Sequence, residues 1–482
     1  MGSSRTNQQG RQDDRDAAKC IAVISATYPA RSETFVYREV HGLREHGWRV
    51  VTVGLREPGE PAEALLGADE PPSISVYGRA TARTITAAAR ELVFNPVRSL
   101  HTLAAAAGDA LTWRPGETAR RRVLILPQAI AAIGLAARLR DAGVAFIHCH
   151  FAHAPSTIGM YAAMQIQVPF SFVGHANDLY QRRVLLEPKL RRAAFVSCIS
   201  TFHRAMYGQL VDRDAAAYPV IRCGVDTEQF QAKRLEAGSE PGRNLLTISR
   251  LVEKKGIDTL IRAFAQLRAG DPSWQLTIAG TGPDEQRLRE LAQQLGCDQA
   301  IQWSGAVDTN QVQRMMSDAD VFVLPCRQDR NGDRDGIPVV LMEAMARGLP
   351  VISGDIDSIR DLVRDGHTGL LVPGGDAPTL AGTIDRLCGD QKLRSRLAAN
   401  ARRHVVAEFS QATNIRRLDG ALAAALQWVC APAEHVIPPD LHAVAVHRRD
   451  APGPAWSPPI SARRSAAKTP AQPSGRSTSP GH

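Results

Sequence analysis

At 482 residues the chain is too long for one ordinary core, and a composition of 44% hydrophobic and 22% charged residues suits two buried cores. Its eight cysteines run from Cys20 to Cys430 with no CxxC pair, which excludes a disulfide framework or a zinc ribbon and predicts reduced thiols in a cytoplasmic protein. The net charge of +9 sits in the first half and the C-terminal tail; with no zinc-finger spacing or RRM-type aromatic motif, it predicts no nucleic-acid partner.

Residues 1–18 and 431–482 read as disordered tails. The first is polar with mixed charge and no secretory pattern; the second is rich in Pro, Ser and Arg. Residues 19–235 are expected to form one domain. Cys20–Ser25 is a strand candidate, Glu33–His46 has helical spacing through Phe35, Val36, Val40 and Leu43, and Arg49–Val53 reads as the next strand. Ser32 reads as the cap of that helix, ahead of Glu33 and Thr34. The stretch Glu57–Glu117 is poorly periodic and reads only as short helices and loops. Val123–Ala137 is the longest nearly apolar run. It is interrupted by Pro127 and Gln128 and falls short of the roughly 20 residues a membrane span needs. Phe146–His150, Phe170–Val173 and Phe195–Ile199 are further strand candidates.

The pattern breaks near Asp226–Arg243, at Gly238, Pro241 and Gly242, and a second series fills residues 236–430. Leu245–Ser249, Gln275–Ala279, Ala300–Ser304, Val321–Leu324 and Pro350–Ser353 read as strands. Gly256–Leu267, Asp284–Leu295 and Pro338–Ala346 read as helices. Two alternating series predict an α/β protein of two doubly wound, Rossmann-like domains facing a central cleft.

The chemistry-bearing residues gather where strands are expected to end. Asp335 and Glu343 lie eight apart, with Gly336, Ile337, Pro338 and Val339 at a loop-to-helix junction whose free backbone N–H groups suit a phosphate or a sugar. Arg250 and Lys255 flank a strand end and a helix start, a spacing that can clamp a diphosphate. Gly280 and Gly282 form a GxG turn, but Glu285 replaces the third glycine of a dinucleotide fingerprint. His175 and Asp178 follow the strand Phe170–Val173. His148 and His150 share one strand face, but no carboxylate follows at ligand spacing. Acceptor contacts or packing are therefore expected there, and no metal.

The segment Asp335–Glu343 resembles the E-x7-E signature of the retaining glycosyltransferases of family 4. The stretches Asp320–Pro325, Glu343–Ile352, Gly366–Pro373 and Ser249–Gly256 are similar to the same family, so the resemblance covers nearly the whole second domain. One departure is Asp335, where the signature has Glu; the carboxylate is one methylene shorter, and its distance in sequence from Glu343 is kept. The resemblance implies the GT-B fold and a retaining hexosyl transfer without metal. It assigns the donor diphosphate to Arg250 and Lys255, the donor sugar to His175 and Asp335, the ribose to Glu343, and the base side to Gly305 and Val307. No cofactor is implied beyond a nucleotide diphosphate sugar, UDP- or GDP-linked.

Ser32-Glu33-Thr34-Phe35 resembles the corresponding loop of bacterial exopolysaccharide and colanic-acid-type glycosyltransferases. The acceptor-side candidates are Ser32, Glu33, Thr34, His150 and Asp178, and the implied acceptor is a sugar or a lipid-linked oligosaccharide. Arg120-Arg121-Arg122, Arg182-Arg183 and Arg191-Arg192 read either as a solvated surface or as a contact with an anionic membrane on its cytoplasmic face. The competing functions are a nucleotide-sugar-binding scaffold and a GT-B nucleotide-sugar epimerase.

Overall fold

The structure, a computed structural model, describes residues 19–30, 33–58, 71–112, 118–180, 184–230 and 242–430. Both tails, Ser32, Arg182-Arg183 and the expected boundary at residues 235–236 lie outside the described residues. The first lobe is built on a parallel sheet of β1 (Cys20–Thr27), β2 (Arg49–Arg56), β3 (Ile74–Ser75), β4 (Phe146–His150), β5 (Phe170–Val173) and β6 (Phe195–Ser197), in the order β3-β2-β1-β4-β5-β6. The second is built on β7 (Asn244–Ile248), β8 (Gln275–Ala279), β9 (Ile301–Gly305), β10 (Val321–Leu324), β11 (Val351–Gly354) and β12 (Leu370–Val372), in the order β12-β11-β10-β7-β8-β9.

Both sheets have the same winding. The chain starts in the middle, runs to one edge, returns, and runs to the other. The direction reverses between β1 and β4 and again between β7 and β10, and at such a reversal the strand ends splay and leave a crevice. The central strands read as unbroken apolar runs because helices cover both faces; every residue of Val321–Leu324 is fully buried.

Helix Gln411–Cys430, which the sequence places in the second domain, packs on helix Thr34–Glu45 of the first lobe and on β6. Ser410 bridges to Val225, so two chain segments cross between the lobes side by side. The helix then buries Leu418 and Leu422 in a core it shares with Ile21, Val40 and Trp48. Trp48 Nε1 donates to Asp419 Oδ1 at 2.7 Å. Gly42 leaves room for Ile415, whose Cγ1 would stand 2.7 Å from a Cβ at that position.

The stretch Glu57–Glu117 contains two well-formed helices, Thr81–Phe94 and Pro96–Leu111. Their periodicity is hidden because their inward faces are polar: Thr84 and Glu91 in one, Ser99, Thr102 and Asp109 in the other. Glu91 pairs with Arg140 at 2.5 Å and accepts from Gln165 at 3.1 Å. Asp109 takes Arg192 at 2.5 Å and Tyr161 at 2.9 Å. Buried polar groups are satisfied in pairs here, and apolar residues are left outside. The long apolar run becomes helix Ile125–Asp141, which packs against both helices and buries nine of its residues, among them Ile125, Ile133 and Leu139.

Leu418 is 1% exposed in the shared core. Leu418→Ala should lower the unfolding free energy by about 3 kcal/mol in a urea titration. A loss below about 0.5 kcal/mol would mean that the helix adds nothing to the first lobe.

Candidate functional site

In the second lobe the site is built on the ends of β7 and β10. After β7 the chain turns through Arg250 into a short 3-10 turn, Glu253–Lys255, and then enters helix Ile257–Gly270. Gly280 explains why the turn after β8 is glycine: its φ is +121°, and a Cβ there would meet the carbonyl oxygen of Ser249 at 1.9 Å. The backbone then hydrogen-bonds Leu251 N to Thr281 O at 3.0 Å and Asp284 N to Leu251 O at 3.1 Å. Gly280 and Gly282 thus press on residues 249–251 and fix the loop that carries Arg250. On the opposite side Arg327 N donates to Lys254 O at 2.9 Å.

That loop delivers two ammonium groups to one buried carboxylate. Lys255 Nζ is 2.8 Å from Asp335 Oδ2, and Lys254 Nζ is 3.3 Å from Asp335 Oδ1 and 3.0 Å from Asp333 Oδ2. Cys326 Sγ donates to Asp335 Oδ2 at 3.2 Å, and Ser358 Oγ donates to the Asp335 carbonyl at 2.8 Å. Asp335 is 8% exposed. Burial alone pushes its carboxyl up, but Lys255 and then Lys254 outweigh it and hold it below the ordinary value. Burial pulls Lys255 down and Asp335 more than restores it, so its pKa lies above the ordinary value. Both groups are charged. Arg250 is exposed and lies near enough to Lys255 to oppose that rise.

The first lobe faces this cluster with the ends of β4 and β5. His150 closes β4, and Phe151 follows with φ at +77°, a strained conformation for a residue with a Cβ. His175 stands two residues past β5, its ring 4.4 Å from that of Phe35 and 5.0 Å from that of Phe151. Asp178 is turned away from the crevice. Its carboxylate accepts from the backbone N–H groups of Ala152 at 2.7 Å, His175 at 3.1 Å and Ala176 at 2.8 Å, tying together the loops after β4 and β5. It positions His175 rather than lining the site.

His150 links His175 to a glutamate that sequence reading missed. Glu39 Oε1 lies 3.0 Å from His150 Nε2 and 3.3 Å from His148 Nε2. His150 Nδ1 is 3.4 Å from His175 Nε2, and His148 Nδ1 is 2.7 Å from Ser171 Oγ. Burial raises the Glu39 carboxyl, but His150 and His148 bring it far below its ordinary range. Glu39, His148 and His150 place three potential ligand atoms within 4.8 Å of one another, the metal-capable group among the described residues. The carboxylate absent from ligand spacing in sequence arrives from helix Thr34–Glu45. The only cue was a glutamate on the helix that follows β1.

The remaining candidates sit as follows. Gly336 lets the two lobes approach: a Cβ there would stand 2.5 Å from the carbonyl oxygen of His175. Ile337 is buried in the second core, Pro338 caps helix Val339–Ala346, and Val339 is half-buried. Glu343 reaches across to Arg38 of the first lobe at 3.7 Å, and burial keeps its carboxyl above the ordinary value despite Arg38. Arg38 had no place in the sequence reading. Gly305 has a φ of +63° at the end of β9, and Val307 packs against the second core. Glu33 and Thr34 are half-buried at the start of the first-lobe helix. Burial pushes the Glu33 carboxyl up to about 7 despite His150.

Residues 229–404 match the family Glycosyl transferases group 1. WcaL of Salmonella typhimurium, named for colanic acid biosynthesis, is 38% identical over 200 residues, 41% of this chain and 49% of that protein. The amylovoran biosynthesis glycosyltransferase AmsK of Erwinia amylovora is 32% identical over 251 residues, 51% of this chain and 61% of that one. The chain thus spans about half the length of the curated relatives it matches. The Anabaena protein HepE, solved in complex with UDP, superposes with a TM-score of 0.62 over 84% of this chain and 100% of its own, at 16% identity. The fold is GT-B.

Burial, set against Asp178, holds the His175 imidazole down to about 3 from an ordinary 6.5. Between those values the unfolded chain binds a proton at this residue that the folded chain does not. Stability should therefore fall as pH drops through that window. In urea titrations at about pH 7 and about pH 4.5, His175→Asn should lose less stability on acidification than the parent protein. Equal losses would show that His175 is not held neutral by the fold.

Proposed function

We propose that the chain is a retaining hexosyltransferase of glycosyltransferase family 4. It moves a sugar from a UDP- or GDP-linked donor to a sugar or lipid-linked oligosaccharide acceptor, in exopolysaccharide or cell-surface polysaccharide synthesis on the cytoplasmic side of the membrane. The observation that carries this reading is the Lys255–Asp335–Lys254 cluster at the strand reversal of the second sheet, set against His175 across the Gly336 contact. The names of WcaL and AmsK support the polysaccharide class.

In this reading Arg250 and Lys255 take the donor diphosphate, and no metal is required because the cations are supplied by the chain. Asp335 is committed to both lysines, so its part is to hold Lys255 in place and charged. The sugar hydroxyls then meet the backbone from Gly336 to Val339 and the neutral imidazole of His175. Glu343 takes the ribose diol once the donor displaces Arg38. The base lies toward Gly280, Gly282, Gly305 and Val307, and the acceptor enters beside Glu33, Thr34 and His150.

The acceptor hydroxyl attacks the anomeric carbon on the face that the diphosphate leaves. The bond to the β-phosphate oxygen breaks, and the hydroxyl proton passes to that oxygen. Charge grows on the leaving diphosphate, and fixed cations there lower the barrier more than mobile water does. Exclusion of water by the approach of the lobes limits hydrolysis of the donor.

The test is nucleoside diphosphate release in EDTA from UDP-, GDP- and ADP-sugars, with and without a crude lipid-linked oligosaccharide extract. Release should depend on the extract and should fall by about 10²–10³-fold in Lys255→Ala. Release that stops in EDTA would refute metal independence and turn attention to Glu39, His148 and His150. No release from any donor would refute the transferase.

A further inference from the structure

The two helices with polar interiors leave an apolar exterior. Of thirteen exposed large hydrophobic side chains among the described residues, eleven fall between Ile85 and Ile130. Val97, Leu100, Ala104, Gly108 and Leu111 recur every three or four residues and make an uncharged stripe along the outside of helix Pro96–Leu111. Val97 is 80% exposed and Leu111 84%. Phe94 at 73% stands at one end of this helix. At the other end Val123 is equally exposed, on the turn that Arg122 ties down by donating to the Ala110 carbonyl at 3.0 Å.

Among the described residues from Thr81 to Ile130, the exposed charges are all basic. Between Thr81 and Ile130 the described acids are Glu91 and Asp109, and both are buried in ion pairs. Arg83, Arg90 and Arg98 are exposed. Of the arginine clusters expected from sequence to meet a membrane, only Arg121 among the described residues adjoins this face. Arg191 and Arg192 pair with Glu187 and Asp109, Arg122 turns inward, and Arg182-Arg183 and the Arg120 side chain lie outside the described residues.

A cavity of about 580 Å³ opens beside the stripe, lined by Thr27, Arg56, Tyr77, Arg121, Leu124 and His153. Thr27 and Arg56 close β1 and β2, so the cavity lies on the same sheet edge as the candidate site. Leu124 belongs both to the exposed group and to the cavity wall.

We infer that this face seats the first lobe on an anionic lipid bilayer, with the cavity at Arg56 and Arg121 opening toward the phosphate-bearing headgroups. Apolar side chains enter the acyl boundary and the arginines meet lipid phosphates, with no exposed acid among the described residues from Thr81 to Ile130 to repel them. The inference deepens the transferase reading by giving a lipid-linked acceptor its side of approach. Its evidence and its test are independent of transfer.

The full chain, without nucleotide, would be sedimented with phosphatidylcholine vesicles, with and without about 30% phosphatidylglycerol. It should bind the anionic vesicles, bind neutral ones weakly, and be released by salt. The double variant Val97→Glu, Leu111→Glu should partition about tenfold or more weakly. Unchanged unfolding and unchanged nucleoside diphosphate binding would show that its fold is intact, and the serine pair at the same positions gives a milder second variant. The inference is overturned if the parent stays in solution with anionic vesicles at low salt. Binding of the variants at parental strength would also overturn it, because the lipid contact would then lie elsewhere. So would a dimer, seen by light scattering, that the variants dissociate without any vesicle binding, because a second copy would then cover the face.

Discussion

A carboxylate buried to 8% exposure beneath two ammonium groups is the constraint on which the second lobe's site depends. Removing such a charge from water costs several kcal/mol, and the cost is offset only when the counter-charges are held in place. The strand reversal between β7 and β10 supplies that placement, because it brings the Lys254-Lys255 turn and the Asp335 loop to the same crevice. Glycines on either side make the turn rigid by removing side chains where backbone meets backbone. Asp335 in place of the longer glutamate fits this account. The shorter side chain stays with the two lysines.

The first lobe follows the same principle with weaker charges. Asp178 spends both oxygens on backbone N–H groups and so fixes the His175 loop. Glu39, His150 and His175 form a buried hydrogen-bonded row in which each ring is oriented by the next. Among the described residues the contacts between the lobes include Arg38 with Glu343, the Thr201 hydroxyl and N–H with Asp361, Arg222 with Asp361, Arg334 over the Phe202 ring, and Gly336 beside the His175 carbonyl. Helix Gln411–Cys430 returns to the first lobe, so the chain crosses between the lobes twice, side by side at Val225 and Ser410.

The strand–helix alternation was legible because a parallel sheet covered on both faces demands continuous apolar runs. Phe146–His150, Phe170–Val173, Gln275–Ala279 and Val321–Leu324 begin and end where the sequence places them. β3 has two residues and β12 three, too short to carry a pattern. The loops bearing Arg250, Lys255, His175 and Asp335 were legible because the strands they follow were. Glu39, Arg38, Lys254 and Cys326 were not, since each acts through a residue distant in sequence or through a neighbour already singled out. Helices Thr81–Phe94 and Pro96–Leu111 were hidden for a different reason: their buried faces are polar, which inverts the signal that periodicity reads.

The central claim is that the chain's own cations, held by Asp335, form a diphosphate site. Calorimetric titration of UDP and of GDP into the full chain in EDTA tests it most directly. The account predicts that one of the two binds without metal, that binding weakens with added salt, and that Lys255→Ala abolishes it. Binding that appears only with a divalent ion, or that survives the loss of Lys255 unchanged, would contradict it.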